Sequence, residues 1–341
     1  MRACWSTFAP KRRPQTIKMH SETDKTVVIT GAFSYTGKYA TRILLDRGYR
    51  IRTLTYHPER ENPFGDKVQV FPYNFDNPGR LTETLRGAST LINTYWVRFP
   101  RGKSTFETAV QNTRTLITAA KEAGVCRIVH VSIANPSLQS PLCYYKGKAQ
   151  LEQSVVESGL AYTILRPTVI FGLEDILINI AWFVRHFPIF AIPGDGRYRI
   201  RPIYVEDMAR LIVNAVRQEG NTVLDAVGPE TYTFEELVRL IGDQLGRRTS
   251  VIHVPTLAAY IATRVAGWFV SDVVLTWEEY KGLMAGQLAP EGSSTGETLL
   301  SQWLATNREP VGKQYASEVA RHYARTDPHA TGASIYSCAG L

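Results

Sequence analysis

Thr26–Lys38, TVVITGAFSYTGK, is the stretch whose reading decides the fold of this chain. Five residues rich in β-branched side chains run straight into Gly31, and Gly37 follows. An amphipathic segment comes next, with Ile43, Leu44 and Leu45 on one side and Lys38, Arg42 and Arg47 on the other. A buried strand, a glycine turn and a helix opening together hold a dinucleotide pyrophosphate, because the unpaired N–H groups of the first turn and the helix dipole face the phosphates. Gly31 takes the tight turn, and Gly37 lets the helix pack closely on the strand. Ser34 stands where the usual fingerprint has its middle glycine. It is small enough to be tolerated there and can donate its hydroxyl to a phosphate. By itself the motif weighs evenly against an ordinary strand-to-helix turn.

The 341 residues suffice for one large domain or a domain with an appended lobe, and 44% hydrophobic with 21% charged residues is an ordinary globular composition. Of the net charge of +8, five units come from Arg2, Lys11, Arg12, Arg13 and Lys18, in a stretch without an acid. The remainder is only mildly basic, which argues against a nucleic-acid surface. We read residues 1–24 as a solvated basic arm, or as sequence ahead of a start at Met19. Pro10 and Pro14 spoil the amphipathicity of a transit peptide, so a cytoplasmic setting is expected. Scattered histidines and cysteines without C-x-x-C spacing support no metal site. Val251–Val270 contains His253, Pro255 and Arg264, so it reads as a strand and a buried or surface-lying helix, not as a membrane span, with peripheral membrane contact left open.

Further along, Tyr49–Tyr56 alternates as a second strand. Its end, where an acid would select NAD, carries Thr55, Tyr56 and His57 instead, with Arg52 and Arg60 nearby. The missing acid tilts the expectation to NADP, with NAD as the alternative; solvated surface charges are the plainer reading of the two arginines. Val68–Phe71 leads to Asp76, placed for the adenine edge or for a helix cap. Thr90–Asn93 ends in Asn93-Thr94-Tyr95-Trp96, where bulky rings replace the small residues expected beside a cofactor. Arg127–Ser132 ends in a hydroxyl, and Tyr144 and Lys148 then share one helical face. An ammonium beside a phenol lowers its pKa, making a proton donor or acceptor for a carbonyl/alcohol pair, and Ser132 can polarise the same oxygen. Leu160–Arg166 adds a sixth strand, and this alternation from residue 26 onward dictates a doubly wound parallel sheet with helices on both faces.

The order TGAFSYTG, HVS, YYKGK, ILRPTVIFG resembles the extended, atypical branch of the short-chain dehydrogenase/reductase superfamily, with its NmrA-like and epimerase-like members. More narrowly, NTYWVRF, HVSIANPS, ILRPTVIFGLEDILINIAW and GDGRYRIRPIYVEDMA resemble NAD(P)-binding proteins related to the accessory NADPH-binding subunit of respiratory complex I. The resemblance runs from about Lys25 to about Arg325. It implies a Rossmann core over residues 25–175. Residues 176–325 would then hold the remainder of the core, interleaved with a smaller, mainly helical substrate lobe, and 326–341 would be a flexible tail. It implies cofactor contacts at Gly31, Ser34, Tyr35, Thr36, Gly37, Asp76, Asn93 and Lys148, with Arg166 and Pro167 at the nicotinamide end and Ser132, Tyr144 and Lys148 as the catalytic set. Tyr56 stands where related proteins often have a phosphate-binding arginine.

The activity expected is hydride transfer between a nicotinamide and a carbonyl/alcohol substrate, apolar or quinone-like, by a monomer or homodimer. Two other readings stand beside it: a non-catalytic NADPH-binding assembly subunit or redox sensor, and a nucleotide-sugar epimerase or dehydratase.

Overall fold

The β-branched runs become strands that are buried on both faces, as the parallel arrangement requires. In the computed structural model, which describes residues 25–323, the strands are β1 Thr26–Thr30, β2 Arg50–Thr55, β3 Val68–Pro72, β4 Thr90–Asn93, β5 Arg127–Val131, β6 Ala161–Pro167, β7 Ile170–Phe171, β8 Ile189–Pro193, β9 Arg199–Ile200, β10 Ile203–Tyr204, β11 Thr222–Ala226, β12 Tyr232–Thr233 and β13 Ser250–Val254. The helices are α1 Tyr35–Asp46, α2 Pro78–Leu85, α3 Phe106–Glu122, α4 Cys143–Glu157, α5 Ile176–His186, α6 Val205–Ala215, α7 Phe234–Gln244, α8 Thr256–Val270, α9 Trp277–Met284, α10 Leu300–Thr306 and α11 Glu318–Tyr323. The expectations for the basic arm, its start at Met19, the transit peptide and the C-terminal tail fall outside the described residues.

Seven parallel strands form one sheet in the order β11-β6-β5-β4-β1-β2-β3. The chain direction across the sheet reverses between β1 and β4, which opens a crevice at their C-terminal ends. Alternate residues of β1 serve the two faces. Val27 and Ile29 pack with Leu44, Met208 and Ile212 beneath α1 and α6, while Val28 packs with Leu81, Leu85, Leu116 and Ile117 beneath α2 and α3. This is the doubly wound α/β fold expected from the alternation.

A third cluster, built from Phe171, Leu177, Leu237, Val238, Leu300 and Leu304, forms the helical lobe around α5, α7 and α10. A capping box between Thr233 and Glu236 opens α7. Arg197 and Arg199 are exposed, whereas Arg201 donates to the carbonyls of Gly228 and Gly292 and braces the lobe against the sheet.

Candidate dinucleotide and catalytic site

The glycine turn has the geometry its sequence implies. Gly31 sits at φ +69° and its N–H donates to Leu54 O at 2.9 Å. A Cβ on Gly37 would lie 2.0 Å from Gly31 O, so only glycine permits this approach of helix to turn. Ser34 is the N-cap of α1 with φ −72°, a backbone conformation that demands no glycine, and its Oγ accepts from Gly37 N at 3.3 Å. The hydroxyl proton remains to donate. The N–H groups of Tyr35 and Thr36, which open α1, have no intrahelical acceptor and face the crevice end of the sheet. The Tyr35 side chain is spent elsewhere: its hydroxyl donates to Asp175 Oδ2 at 3.0 Å, and burial with the neighbouring carboxylate pushes its pKa well up.

At the ends of β2, β3 and β4 the rings of Tyr56, Tyr73, Phe75 and Tyr95 gather, with centroids 4.7 to 6.1 Å apart. The Tyr56 and Tyr95 hydroxyls lie 3.1 Å apart, and Asn112 of α3 donates to both. Tyr95 and Tyr73 are buried, whereas Tyr56 is 54% exposed and offers an open ring. Asp76 is exposed beside this cluster, and the His57 N–H turns back onto Thr55 Oγ1. Arg52 is not brought here. It lies mid-strand and donates to Thr84 O and Arg86 O, closing the C-terminus of α2. The side chains of Asn93 and Thr94 are likewise internal: Asn93 binds Thr30 Oγ1 and His130 Nδ1, and Thr94 Oγ1 donates to Thr30 O. Thr94 still flanks the glycine turn, with its Oγ1 3.6 Å from where a Gly31 Cβ would stand.

Ser132 follows β5 with its Oγ buried and unpartnered. Lys148, buried in α4, donates to Val131 O at 2.9 Å, and its pKa is lowered to about 7 by burial, with Glu152 pulling it back up. His130 beneath it is pushed down to about 3 by burial, with Lys148 adding to the effect, and so stays neutral. Tyr144 stands one turn before Lys148, but the expected lowering of its phenol by that lysine is not what the geometry gives. Burial pushes it up, Tyr145 and Glu279 add to the rise, and Arg98 is the cation that opposes it.

Trp96 explains the separation, since its ring lies 4.8 Å from Lys148 Nζ and edge-on to Tyr144 at 5.6 Å. Gly147 gives it room, as a Cβ there would meet the indole at 2.8 Å. Arg166 holds Glu152 in a bidentate pair and so is already satisfied by the protein, while Pro167 is buried at the end of β6.

Several residues that matter here carried no sequence signal. The carboxylate of Glu278, in α9, accepts the N–H groups of Cys143 and Tyr144 and so caps α4, which has no side-chain cap of its own. Glu279 pairs with Arg98 at 2.6 Å. Arg321 of α11 donates to Glu174 O and lies over the Tyr35 ring, while Arg60 donates to Arg321 O at 3.0 Å. The ring cluster had one clue, the aromatics in FPYNF after β3.

A dinucleotide fits these residues: the turn admits a close backbone approach, two helix N–H groups await an anion, and a buried hydroxyl awaits a partner. Residues 31–175 match the family model described as NAD(P)H-binding. Its relatives include the mitochondrial NADH dehydrogenase (ubiquinone) 1 alpha subcomplex subunit 9 of Arabidopsis thaliana, 25% identical over 241 residues, 67% of this chain and 60% of the relative. The ceramide reductase of Caulobacter vibrioides is 27% identical over 67% of this chain and 73% of its own length. The chain thus spans about 60% of the length of the complex I subunits it matches. Among solved structures, the Citrobacter triphenylmethane reductase complexed with NADP(H) superposes with a TM-score of 0.69 at 17% identity, over 83% of this chain and 99% of that one.

Proposed function

We propose that the protein is an NAD(P)H-dependent reductase acting on the carbonyl group of an apolar small molecule. The observation that carries this reading is the buried, unpartnered Ser132 Oγ, one residue beyond the carbonyl that holds Lys148. An unsatisfied buried hydroxyl costs about 1–3 kcal/mol, which a substrate oxygen would recover. Tyr144, with its pKa raised, stays protonated and serves as a donor, which suits reduction better than the reverse reaction. Lys148, at about 7, exchanges protons near neutrality beside Ser132. When bound, NAD(P)H supplies the hydride.

The N–H groups of Tyr35 and Thr36 and the Ser34 hydroxyl would hold the pyrophosphate, Tyr56 would stack on the adenine with Asp76 at its edge, and the backbone from Asn93 to Tyr95 would border the ribose. With Arg52 engaged at α2 and Arg60 donating to Arg321 O, the missing acid at the end of β2 is what supports NADP over NAD. In this reading residues 25–175 bind the cofactor and 176–325 contribute the substrate side. The ceramide reductase relative supports a lipid-derived carbonyl as the substrate class.

Trp96 favours a second reading, that of a non-catalytic NADPH-binding subunit or sensor, because it fills the space against Lys148 and Tyr144. The epimerase alternative has only a likeness of fold behind it. Titrating the protein with NADPH and NADH, followed by fluorescence, and then assaying turnover on carbonyl and quinone compounds separates the readings. Turnover that is lost in Tyr144→Phe supports the reductase. Tight NADPH binding without turnover on any compound, in the wild type and in Trp96→Ala alike, supports the binding subunit.

A further inference from the structure

Helix α8 is packed on one side only. Ala259 and Gly267 are buried, Tyr260 lies on the rings of Trp277 and Tyr280 in α9, and Tyr280 donates to Ala259 O at 3.3 Å. At about 100° per residue the opposite arc carries Leu257, Ile261, Val265, Trp268 and Phe269, with only Ala258 between them and Ala262 and Arg264 at the two edges. Trp268 is 88% exposed, Phe269 85% and Leu257 62%. Met284 extends the apolar surface, its sulfur 3.5 Å from Thr256 Oγ1 at the start of the helix. Large apolar side chains gathered at such exposure mark a docking face.

The charges around α8 say what docks. Three nearby acids are turned inward, since Glu278 caps α4, Glu279 pairs with Arg98, and Asp272 accepts the N–H groups of Glu318 and Val319, while Asp195, next to the Gly194 that lies against Met284, is exposed. Exposed cations remain on Arg264 and, from the flanking segments, on Lys281, Arg247 and Arg248, with Asp243 as the exposed acid beside the last two. An apolar arc tipped by Trp and Phe and bordered by arginine and lysine matches the interfacial layer of an anionic membrane. The 15 residues of α8 extend about 22 Å, short of a hydrocarbon core of about 30 Å, so the helix lies in the interface and does not span it.

We infer that α8 docks the protein on anionic lipid bilayers, with Trp268 and Phe269 inserted below the headgroups and Arg264 and Lys281 against the phosphates. This surface stands independently of the reductase reading.

The test is co-sedimentation of the full chain with phosphatidylcholine vesicles and with vesicles containing 30% phosphatidylglycerol, at low and high salt, for the wild type, Trp268→Ser/Phe269→Ser and Arg264→Glu. Unchanged melting and NADPH titration show that the variants are folded. The wild type is expected to bind anionic vesicles in a salt-sensitive way. The double variant should lose at least about tenfold in partitioning, since two large apolar rings no longer leave water on binding. Arg264→Glu should lose the preference for anionic lipid. Wild type that stays in the supernatant with anionic vesicles, or a double variant that binds undiminished, overturns the inference. So does a wild-type dimer that the double variant dissociates, because a second copy would then cover the face.

Discussion

Gly37→Ala is the sharpest probe of the dinucleotide turn. The added methyl would stand 2.0 Å from Gly31 O, 2.8 Å from Ser34 Oγ and 3.0 Å from Gly31 C. The first contact falls about 1 Å inside the closest approach a Cβ makes, and the atom met is backbone, so no side chain can swing away to relieve it. Overpacking of this kind costs about 1–3 kcal/mol, and the rigid neighbour puts the substitution at the upper end of that range. Opening the turn by that distance also displaces the N–H groups of Tyr35 and Thr36, so NADPH affinity should fall by more than about tenfold beyond any unfolding.

Urea denaturation measures the first effect and fluorescence titration of the folded protein the second. Gly124→Ala is the control. Unlike Gly37 it has a positive φ, +78°, but there is open space around its Cβ, so it should lose about 1 kcal/mol of stability and none of the affinity. A Gly37→Ala protein as stable as the control, with wild-type affinity, would refute the geometric argument.

Ser34→Gly keeps the turn, because φ at this position is already negative, and should cost only a few tenths of a kcal/mol, against about 1 kcal/mol for Ser34→Ala in thermal melts. Tyr56→Ala removes the open ring and should weaken NADPH and 2′,5′-ADP alike by about 1–3 kcal/mol while leaving nicotinamide mononucleotide unaffected; equal losses for all three would refute a stacking role. Burial raises Asp175 from 3.8 to about 7, so between those values the folded state holds a proton that the unfolded chain has released, and stability falls by up to about 4 kcal/mol as pH rises through that window. Asp175→Asn should flatten the decline in urea midpoint between pH 5 and 7, and an unchanged slope would exclude Asp175 as its source.

The sheet could be read from sequence because its signals are local. Each strand is a run of β-branched residues closed by a glycine or a polar turn, and alternation with amphipathic helices leaves one topology. Ser132 and Lys148 fell at strand and helix positions that the same signals locate. What sequence could not reveal was the partner of each polar side chain. Arg52 was a candidate for the cofactor phosphate because no acid ends its strand, and Arg166 for the nicotinamide end because the family resemblance implies it. One is taken by the carbonyls ending α2 and the other by Glu152. Glu278 caps a helix 135 positions upstream, and no spacing rule announces such a contact.

The electrostatics of Tyr144 follow from that long-range wiring. Lys148 is adjacent on the same helix face, yet the charges bearing on the phenol are Glu279 and Arg98, which meet each other across the junction between the β4 loop and α9. Glu278, next to Glu279, fixes the N-terminus of the helix that carries Tyr144. Burial keeps the proposed proton donor protonated, and α9, an element of the second lobe, adds to that through Glu279 and fixes the donor's helix through Glu278. Two chains sharing the same glycine turn and the same Tyr-x-x-x-Lys pair can on this account differ in reactivity through the lobe alone. That is why the motif by itself does not separate a reductase from a binding subunit.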